Sequence, residues 1–263
     1  MKFTMYHIDA FTDNIFSGNP AAVFPLDTWL PDAVMQAIAA EHNLSETAFF
    51  IPTKQGFHIR WFTPSTEVDL CGHATLAAAY VLFNCLNVAQ ETIVFESKSG
   101  LLHVSKDADW LVMNFPSQMP SPCPIPIAIE QAFAIKPIAC LKSEDYLIVF
   151  EHEADILAAR PNLAALKTLN RRGVIITAKS AQYDFVSRFF APNIGIDEDP
   201  VTGSAHTQLA PYWSKELGKS KLRAKQLSAR GGELLCDVVG ERVLISGKAV
   251  KYMQSNIDIP LSL

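Results

Sequence analysis

The sequence lacks the features that mark membrane, secreted and nucleic-acid-binding proteins. Its longest apolar runs, such as residues 74–83, fall well short of the roughly 20 residues that span a bilayer. The N-terminal residues include Asp and His where a signal peptide needs a continuous apolar stretch. Lys and Arg number 22 against 27 Asp and Glu, a net charge of −5 that gives little attraction to phosphate backbones. We therefore expect a cytoplasmic protein with neither nucleic-acid nor membrane partners.

Metal-binding and disulfide patterns are also absent from the sequence. The seven histidines form no HExxH motif, and the five cysteines form no CxxC pair. The cysteines are Cys71, Cys85, Cys123, Cys140 and Cys236. An odd number of scattered cysteines is typical of reduced thiols in a cytosol. The sequence therefore predicts no metal site and no disulfide framework.

The composition is that of a globular protein of one large or two smaller domains. Hydrophobic residues make up 49% of the 263 residues and charged residues 19%, which is enough apolar material for an ordinary core. The segment 119–126 contains four prolines, a density that no helix or central strand tolerates. We take it as a linker and predict domains over residues 1–117 and 118–263, leaving open whether the last residues return to the first domain.

The apolar periodicity predicts the same order of elements in each half, a β-hairpin followed by a helix. The predicted hairpins cover 46–62 and 174–190, and the predicted helices begin at Gly72 and Gly203. The helix over 72–83 has almost no polar face. A helix that is apolar all round must be buried on every side, so we expect it inside a curled sheet.

A short motif occurs once in each half at the same spacing. Glu67 and Glu198 are separated by 198 − 67 = 131 residues, and Gly72 and Gly203 by 203 − 72 = 131. A match this short arises easily by chance. Together with the matching element order, however, it favours two similar domains facing each other across a cleft.

The helix starts at these glycines are candidate anion sites. The first turn of a helix has backbone N–H groups without intrahelical partners and carries the positive end of the macrodipole. Two such helix tips would bind a carboxylate and a developing enolate. The alternative is that Asp69 and Asp199 merely cap the two helices.

Two titratable residues stand beside these features. His73 follows Gly72 at a helix N-terminus, where the field disfavours imidazolium, although a lone histidine is more often structural. Glu46 lies close in sequence to Phe49 and Phe50. An apolar setting would desolvate its carboxylate and raise the pKa, as a general base acting on carbon requires. The alternative is that Glu46 ends a loop on a solvated face.

Four segments resemble the PhzF-like (phenazine-biosynthesis-type) isomerase family, in order and over essentially the whole chain. They are AFTDNIFSGNPAAVF, HNLSETAFF, RWFTPSTEVDLCGHATLAAA and DEDPVTGSAH. The resemblance implies the diaminopimelate-epimerase-like fold of the α+β class. In that fold two similar domains each curl a mixed or antiparallel, barrel-like β-sheet around a central buried helix, and the active site lies between them.

The resemblance also implies the site residues and the reaction. Similar proteins use the residues corresponding to Glu46, His73 and Asp199 in catalysis. The residues expected to bind substrate are Asn19, Gly72, Gly203 and Ser204. The implied activity is an isomerase that moves a proton between carbons of a small carboxylic or amino acid, with Glu46 as acid and base and no cofactor. A homodimer is also implied.

Two other functions stay open. Amino-acid epimerases and racemases of this architecture carry a cysteine before each helix, whereas this chain has Cys71 and Thr202 there. A threonine hydroxyl is far too weak an acid and base at neutral pH to replace a thiol, which disfavours that reaction. A catalytically silent binding protein of the same fold is distinguished from an enzyme only by a test for hydrogen exchange at carbon.

Overall fold

The computed structural model describes residues 1–259, which divide into two compact units. The first unit comprises residues 1–114 and the described residues from Ser246 onward, and the second comprises Phe115–Ile245. The sequence-based boundary between residues 117 and 118 lies three residues away from this division. The C-terminal stretch belongs to the first unit because its last strand pairs with the first strand of the chain along nearly its whole length.

In each half of the chain a β-hairpin is followed by a helix, as the apolar periodicity predicts. The first part of the chain forms β1 (Lys2–Ala10), β2 (Asn19–Pro25), α1 (Asp32–His42), β3 (Glu46–Pro52), β4 (Phe57–Phe62), β5 (Glu67–Val68), α2 (Gly72–Tyr80), β6 (Thr92–Ser97), β7 (Gly100–Asp107) and β8 (Trp110–Pro116). The remainder forms β9 (Ser121–Pro122), α3 (Ile127–Ala132), β10 (Ala139–Lys142), β11 (Tyr146–Val149), α4 (Glu153–Ala158), α5 (Leu163–Leu166), β12 (Val174–Lys179), β13 (Phe185–Ala191), β14 (Ile196–Asp199), α6 (His206–Leu217), β15 (Lys221–Gln226), β16 (Gly232–Val239), β17 (Arg242–Gly247) and β18 (Ala249–Asp258). No helix within residues 1–259 is both long and apolar enough to cross a bilayer.

The first unit is a mixed sheet with α2 at its centre. Strands β18, β1 and β2 are antiparallel neighbours, β2 and β3 are parallel, and β3 and β4 form the predicted hairpin. Strand β4 is parallel to β6, and β6, β7 and β8 continue as an antiparallel meander. Helix α2 contacts β1, β2, β3 and β18, and every residue from His73 to Ala79 is buried. The prediction of a helix buried on every side is confirmed.

Small residues allow the strands to approach α2 closely. A Cβ at Gly247 would lie 2.4 Å from Phe11 Cδ1 and 2.9 Å from Leu76 Cδ1, so this position accepts no larger residue without movement. Alanines on α2 leave similar room for the surrounding side chains. Close packing of this kind fixes the start of α2 relative to the strand ends around it.

The second unit repeats this arrangement. Strands β9, β10 and β11 are antiparallel, β11 is parallel to β12, and β12 and β13 form a hairpin. Strand β13 continues the sheet to β14 and, in parallel, to β15. The helix predicted to begin at Gly203 begins three residues later, at His206. Residues 203–205 form tight turns instead, in which the His206 N–H donates to the Gly203 carbonyl at 3.0 Å.

One ion pair occurs in equivalent form in both units. On β4, Arg60 donates to the two carboxylate oxygens of Glu67 at 2.7 and 2.9 Å. On β13, Arg188 donates to those of Glu198 at the same two distances. Each guanidinium also lies over the phenylalanine ring two residues further along its strand. The glutamates of the repeated motif are therefore matched structural partners, and the hydrogen bonds from Arg60 hold the pKa of Glu67 at about 2.

Candidate active site

In the first unit, the start of α2 brings together side chains from three separate segments. Asn19 and Glu46 are the first residues of the parallel strands β2 and β3, and Cys71 and His73 flank Gly72 at the start of α2. His73 Nε2 lies 3.3 Å from Glu46 Oε2. On the other side of the ring, His73 Nδ1 lies 3.2 Å from Asn19 Nδ2 and 3.5 Å from Cys71 Sγ. The structure thus assembles four residues from three segments that are far apart in sequence.

The imidazole of His73 is neutral in this environment. The residue is 5% exposed, and burial lowers its pKa to about 3. The Asn19 amide faces Nδ1 as a donor, so the single ring hydrogen sits on Nε2, towards Glu46. That N–H is close to Glu46 but is not aligned for a hydrogen bond.

Glu46 is largely withdrawn from water. Its side chain is 12% exposed, which contradicts the alternative that it ends a loop on a solvated face. Its position follows from β-sheet register, because Glu46 pairs across the parallel ladder with Ala21, two residues after Asn19. The backbone therefore delivers the carboxylate and the Asn19 amide to the same helix end.

The same cluster could also hold a metal ion. Glu46, Cys71 and His73 each offer one ligand atom, and these atoms lie within 4.8 Å of one another. A carboxylate oxygen, a thiolate and an imidazole nitrogen form a ligand set that Zn²⁺ accepts. The sequence did not predict this ligand set, because Glu46 lies on β3 whereas Cys71 and His73 lie at the start of α2.

In the second unit, Asp199 is held by a compact polar network. It is 8% exposed, and its Oδ2 accepts a hydrogen bond from the Thr202 hydroxyl at 2.5 Å. The Gln226 amide donates to the Asp199 carbonyl at 2.8 Å and accepts from the Thr202 N–H at 2.9 Å. Thr202 occupies the position where the racemases carry their second cysteine, and its hydroxyl hydrogen is directed to Asp199.

Neither aspartate caps its helix, so that alternative is wrong. The residues at the cap positions are Cys71 for α2 and Ala205 for α6, and neither helix receives a side-chain cap bond there. Asp69 is 74% exposed and lies 3.9 Å from Lys98 Nζ. Asp199 instead bonds to the hydroxyl of Thr202, as described above.

Ser204 lies beside an arginine–carboxylate network that sequence reasoning missed. Arg172 donates to Ser204 Oγ at 3.0 Å and to both carboxylate oxygens of Asp145 at 3.0 and 2.6 Å. Asp145 and Gln208 are fully buried, and the Gln208 amide donates to Asp145 Oδ2 at 2.8 Å. The one sequence feature that could have indicated Arg172 is its position. It lies just before β12, the strand that corresponds to β3, which begins at Glu46.

The two motif glycines lie at different points of their helices. Gly72 is the first residue of α2, so the N–H groups of that first turn lie beside His73. Gly203 lies in the turn that precedes α6. The predicted substrate-binding residues therefore fall into two groups, with Asn19 and Gly72 in the first unit and Gly203 and Ser204 in the second.

The fold is the diaminopimelate-epimerase-like fold of isomerases and epimerases. Within it, the chain belongs to the phenazine biosynthesis-like (PhzC–PhzF) protein family, whose model matches residues 8–255. The protein is an isomerase of this family. The expected family and fold class are confirmed.

Individual relatives support this assignment. An uncharacterised isomerase of Pseudomonas aeruginosa is 52% identical over 259 residues, covering 98% of this chain and all of the relative. A crystal structure of a PhzF-family protein from Enterococcus faecalis has a TM-score of 0.97 and 46% identity, covering 98% of this chain and all of that one. A hydroxyproline epimerase of Agrobacterium vitis, 7% identical with a TM-score of 0.62 over 97% of this chain and 92% of its own, shares the fold alone.

Proposed function

We propose that this isomerase moves a proton between two carbons of a small carboxylic acid, with Glu46 as both acid and base. The observation that carries the proposal is a largely buried carboxylate 3.3 Å from a neutral, buried imidazole. General acid–base catalysis at carbon needs a carboxylate shielded from water and a neighbouring group that orients it. His73 fits the second role, because its Nε2 hydrogen faces Glu46.

The proposed reaction balances without a further reactant. The Glu46 carboxylate takes a proton from an acidic carbon, and the electron pair of the broken C–H bond is delocalised towards the conjugated carboxylate. The neutral Glu46 carboxylic acid then returns the proton to a different carbon, which shifts the double bond. Glu46 ends as the carboxylate with which it began. No electrons leave the substrate, so the proposed reaction needs no redox cofactor.

We propose that five further residues serve this reaction by binding and orienting the acid. Asn19, Gly72, Gly203 and Ser204 would bind the substrate carboxylate through amide, backbone and hydroxyl donors. Asp199, fixed by Thr202 and Gln226, would orient polar groups of the substrate. The substrate class is a small carboxylic or amino acid that is unsaturated or carries an acidic α-hydrogen.

We also propose that the protein is a homodimer, as the family resemblance implies, and that it is cytoplasmic, as the scattered reduced cysteines indicate. Light scattering at micromolar concentration measures the mass of the particle. A value near twice the 29.0 kDa of the chain is expected. A monomer at that concentration would contradict the proposal.

The test of the reaction is hydrogen exchange with solvent. The protein is incubated in D2O with a panel of α-amino, α-keto and β,γ-unsaturated carboxylic acids, and deuterium at carbon is read by NMR and mass spectrometry. For an acid that exchanges, Glu46→Gln should slow the exchange at least about 10²-fold. Glu41→Gln, an exposed position on α1, is the matched control and should exchange at the wild-type rate. Undiminished exchange by Glu46→Gln refutes the proposal.

One additional variant and one reagent separate the competing explanations. Cys71→Ser should retain exchange, whereas a two-thiol racemase would lose it. Chelation with EDTA should leave the rate unchanged, because the proposed proton transfer involves no metal held by Glu46, Cys71 and His73. A catalytically silent binding protein would exchange none of the acids, with or without EDTA.

A further inference from the structure

The two units place a charged side chain at an equivalent point beside their motif helices. In the first, Glu46 begins the second strand of the parallel pair β2–β3 and lies 3.3 Å from His73, the residue after Gly72. In the second, Arg172 stands two residues before the second strand of the parallel pair β11–β12. It bonds to Ser204, the residue after Gly203, at 3.0 Å.

The start of the first strand of each parallel pair is also occupied by a polar residue that holds this arrangement. Asn19, the first residue of β2, contacts His73. Asp145, immediately before β11, binds Arg172 through both carboxylate oxygens. In both halves, therefore, a polar residue lies at or just before the start of the first parallel strand and a charged residue lies at or just before the start of the second. The polar residue is Asn19 or Asp145, and the charged residue is Glu46 or Arg172.

The Arg172 side chain is fixed by its surroundings. Asp145 is fully buried and is itself held by the Gln208 amide, at 2.8 Å from Asp145 Oδ2. The guanidinium also lies 5.3 Å from the centre of the Phe189 ring. Burial lowers the pKa of Arg172, but the hydrogen bonds and charge of Asp145 outweigh this and raise it. The arginine is therefore a permanently charged donor in a fixed position.

The direction of the Arg172–Ser204 hydrogen bond decides what the serine does. An arginine N–H can only donate, so Ser204 Oγ accepts this bond at 3.0 Å. With one acceptor position filled by a cation, the serine's own O–H becomes a stronger donor, since hydrogen bonds in a chain polarise one another. Ser204 is partly exposed, so this hydrogen can reach a bound anion.

We propose that Arg172, braced by Asp145 and Gln208, is a positioning residue that holds Ser204 as a hydrogen-bond donor to the substrate's carboxylate. This inference rests on the proposed function for the identity of the ligand class. It assigns to Arg172 a role that acts through Ser204 rather than by contact with the reacting carbons.

The experiment measures binding of benzoate, a planar conjugated carboxylate, by isothermal titration calorimetry, with neutral benzamide as the comparison. Arg172→Lys keeps the charge but loses the planar fork that joins Asp145 to Ser204. Both Arg172→Lys and Ser204→Ala should weaken benzoate binding at least about fivefold, the loss expected for a hydrogen bond to a charged group. Arg171→Lys, the adjacent arginine, is the matched control and should bind benzoate as the wild type does.

The double variant distinguishes positioning from independent effects. If Arg172 acts through Ser204, Arg172→Lys in the Ser204→Ala background should weaken benzoate binding no further. Additive losses, or an unchanged affinity in either single variant, would overturn the inference. Equal affinity of the wild type for benzoate and benzamide would overturn it as well.

The design does not depend on turnover or on a single variant. Should Arg172→Lys fail to fold, an unchanged benzoate affinity of Ser204→Ala still overturns the inference, because that variant removes one hydroxyl group from a partly exposed position. Binding without hydrogen exchange would refute the proposed reaction and leave the role of Arg172 intact. Hydrogen exchange that depends on Glu46, together with a benzoate affinity that Arg172→Lys leaves unchanged, would support the proposed reaction and refute the role of Arg172.

Discussion

The buried histidine at the start of α6 should make the stability of the protein depend on pH. His206 is fully buried, and its Nδ1–H donates to the Thr202 carbonyl at 2.9 Å. Its ring lies 5.9 Å from that of Phe185. Burial lowers the pKa of His206 to about 4, although the bond to Thr202 opposes the shift. The folded protein therefore keeps this ring neutral over a pH range in which an unfolded chain protonates it.

The size of the effect follows from the two pKa values. The unfolded chain protonates His206 near pH 6.5, so below that pH the unfolded state binds more protons and stability falls until the pH reaches about 4. At pH 5 the pKa of His206 in the unfolded chain is about 1.5 units above the pH. Protonation of the unfolded chain therefore lowers the free energy of unfolding by about 2 kcal/mol relative to neutral pH. That is a large part of a typical 5–15 kcal/mol stability.

The assay is urea unfolding at pH 7.5 and pH 5.0, in the wild type and in His206→Gln. A glutamine amide can still donate to the Thr202 carbonyl but does not titrate. Whatever the substitution costs in packing is common to both pH values and cancels in the difference. The loss of unfolding free energy between the two pH values should be about 2 kcal/mol smaller in His206→Gln than in the wild type.

The control is His103→Gln, at an exposed position on β7. It should lose as much stability between the two pH values as the wild type. If His206→Gln does the same, the ring is not held neutral by the fold and the reasoning fails.

Four further variants test other parts of the structure. Arg188→Met should lower the free energy of unfolding, measured in urea, by about 3–5 kcal/mol. The substitution leaves the Glu198 carboxylate and the carbonyls of Ile156 and Ala159 without their hydrogen-bond donor. Arg60→Met should cost at least about 1 kcal/mol less, since Lys98 stays 2.7 Å from the abandoned glutamate; equal costs would contradict this. Gly18→Ala should lower the melting temperature, because φ is +66° and a Cβ would lie 2.2 Å from the Ala10 carbonyl oxygen; an unchanged melting temperature would refute it. Asp199→Ala should slow solvent exchange or weaken binding of the exchanging acid, and a variant with neither effect removes it from the reaction.

Local sequence pattern was enough for most of the secondary structure. The hairpins over residues 46–62 and 174–190 occur where the alternation of apolar residues placed them. The uniformly apolar segment after Gly72 predicted a buried helix, because a helix without a polar face must be buried on every side. The helix after Gly203 was less predictable. Three residues of tight turn precede His206, and such turns arise from local hydrogen bonds that periodicity does not encode.

The sequence by itself determined the family, the element order and the identity of Glu46, His73, Asp199 and Ser204 as candidates. Those are properties of short contiguous segments. Only the tertiary structure decided which side chains meet. The pairing of Glu46 with His73 and of Arg172 with Ser204 depends on the register of parallel strands and on the packing of a buried helix against them. Register and packing bring together residues that are distant along the chain, and no local pattern records them.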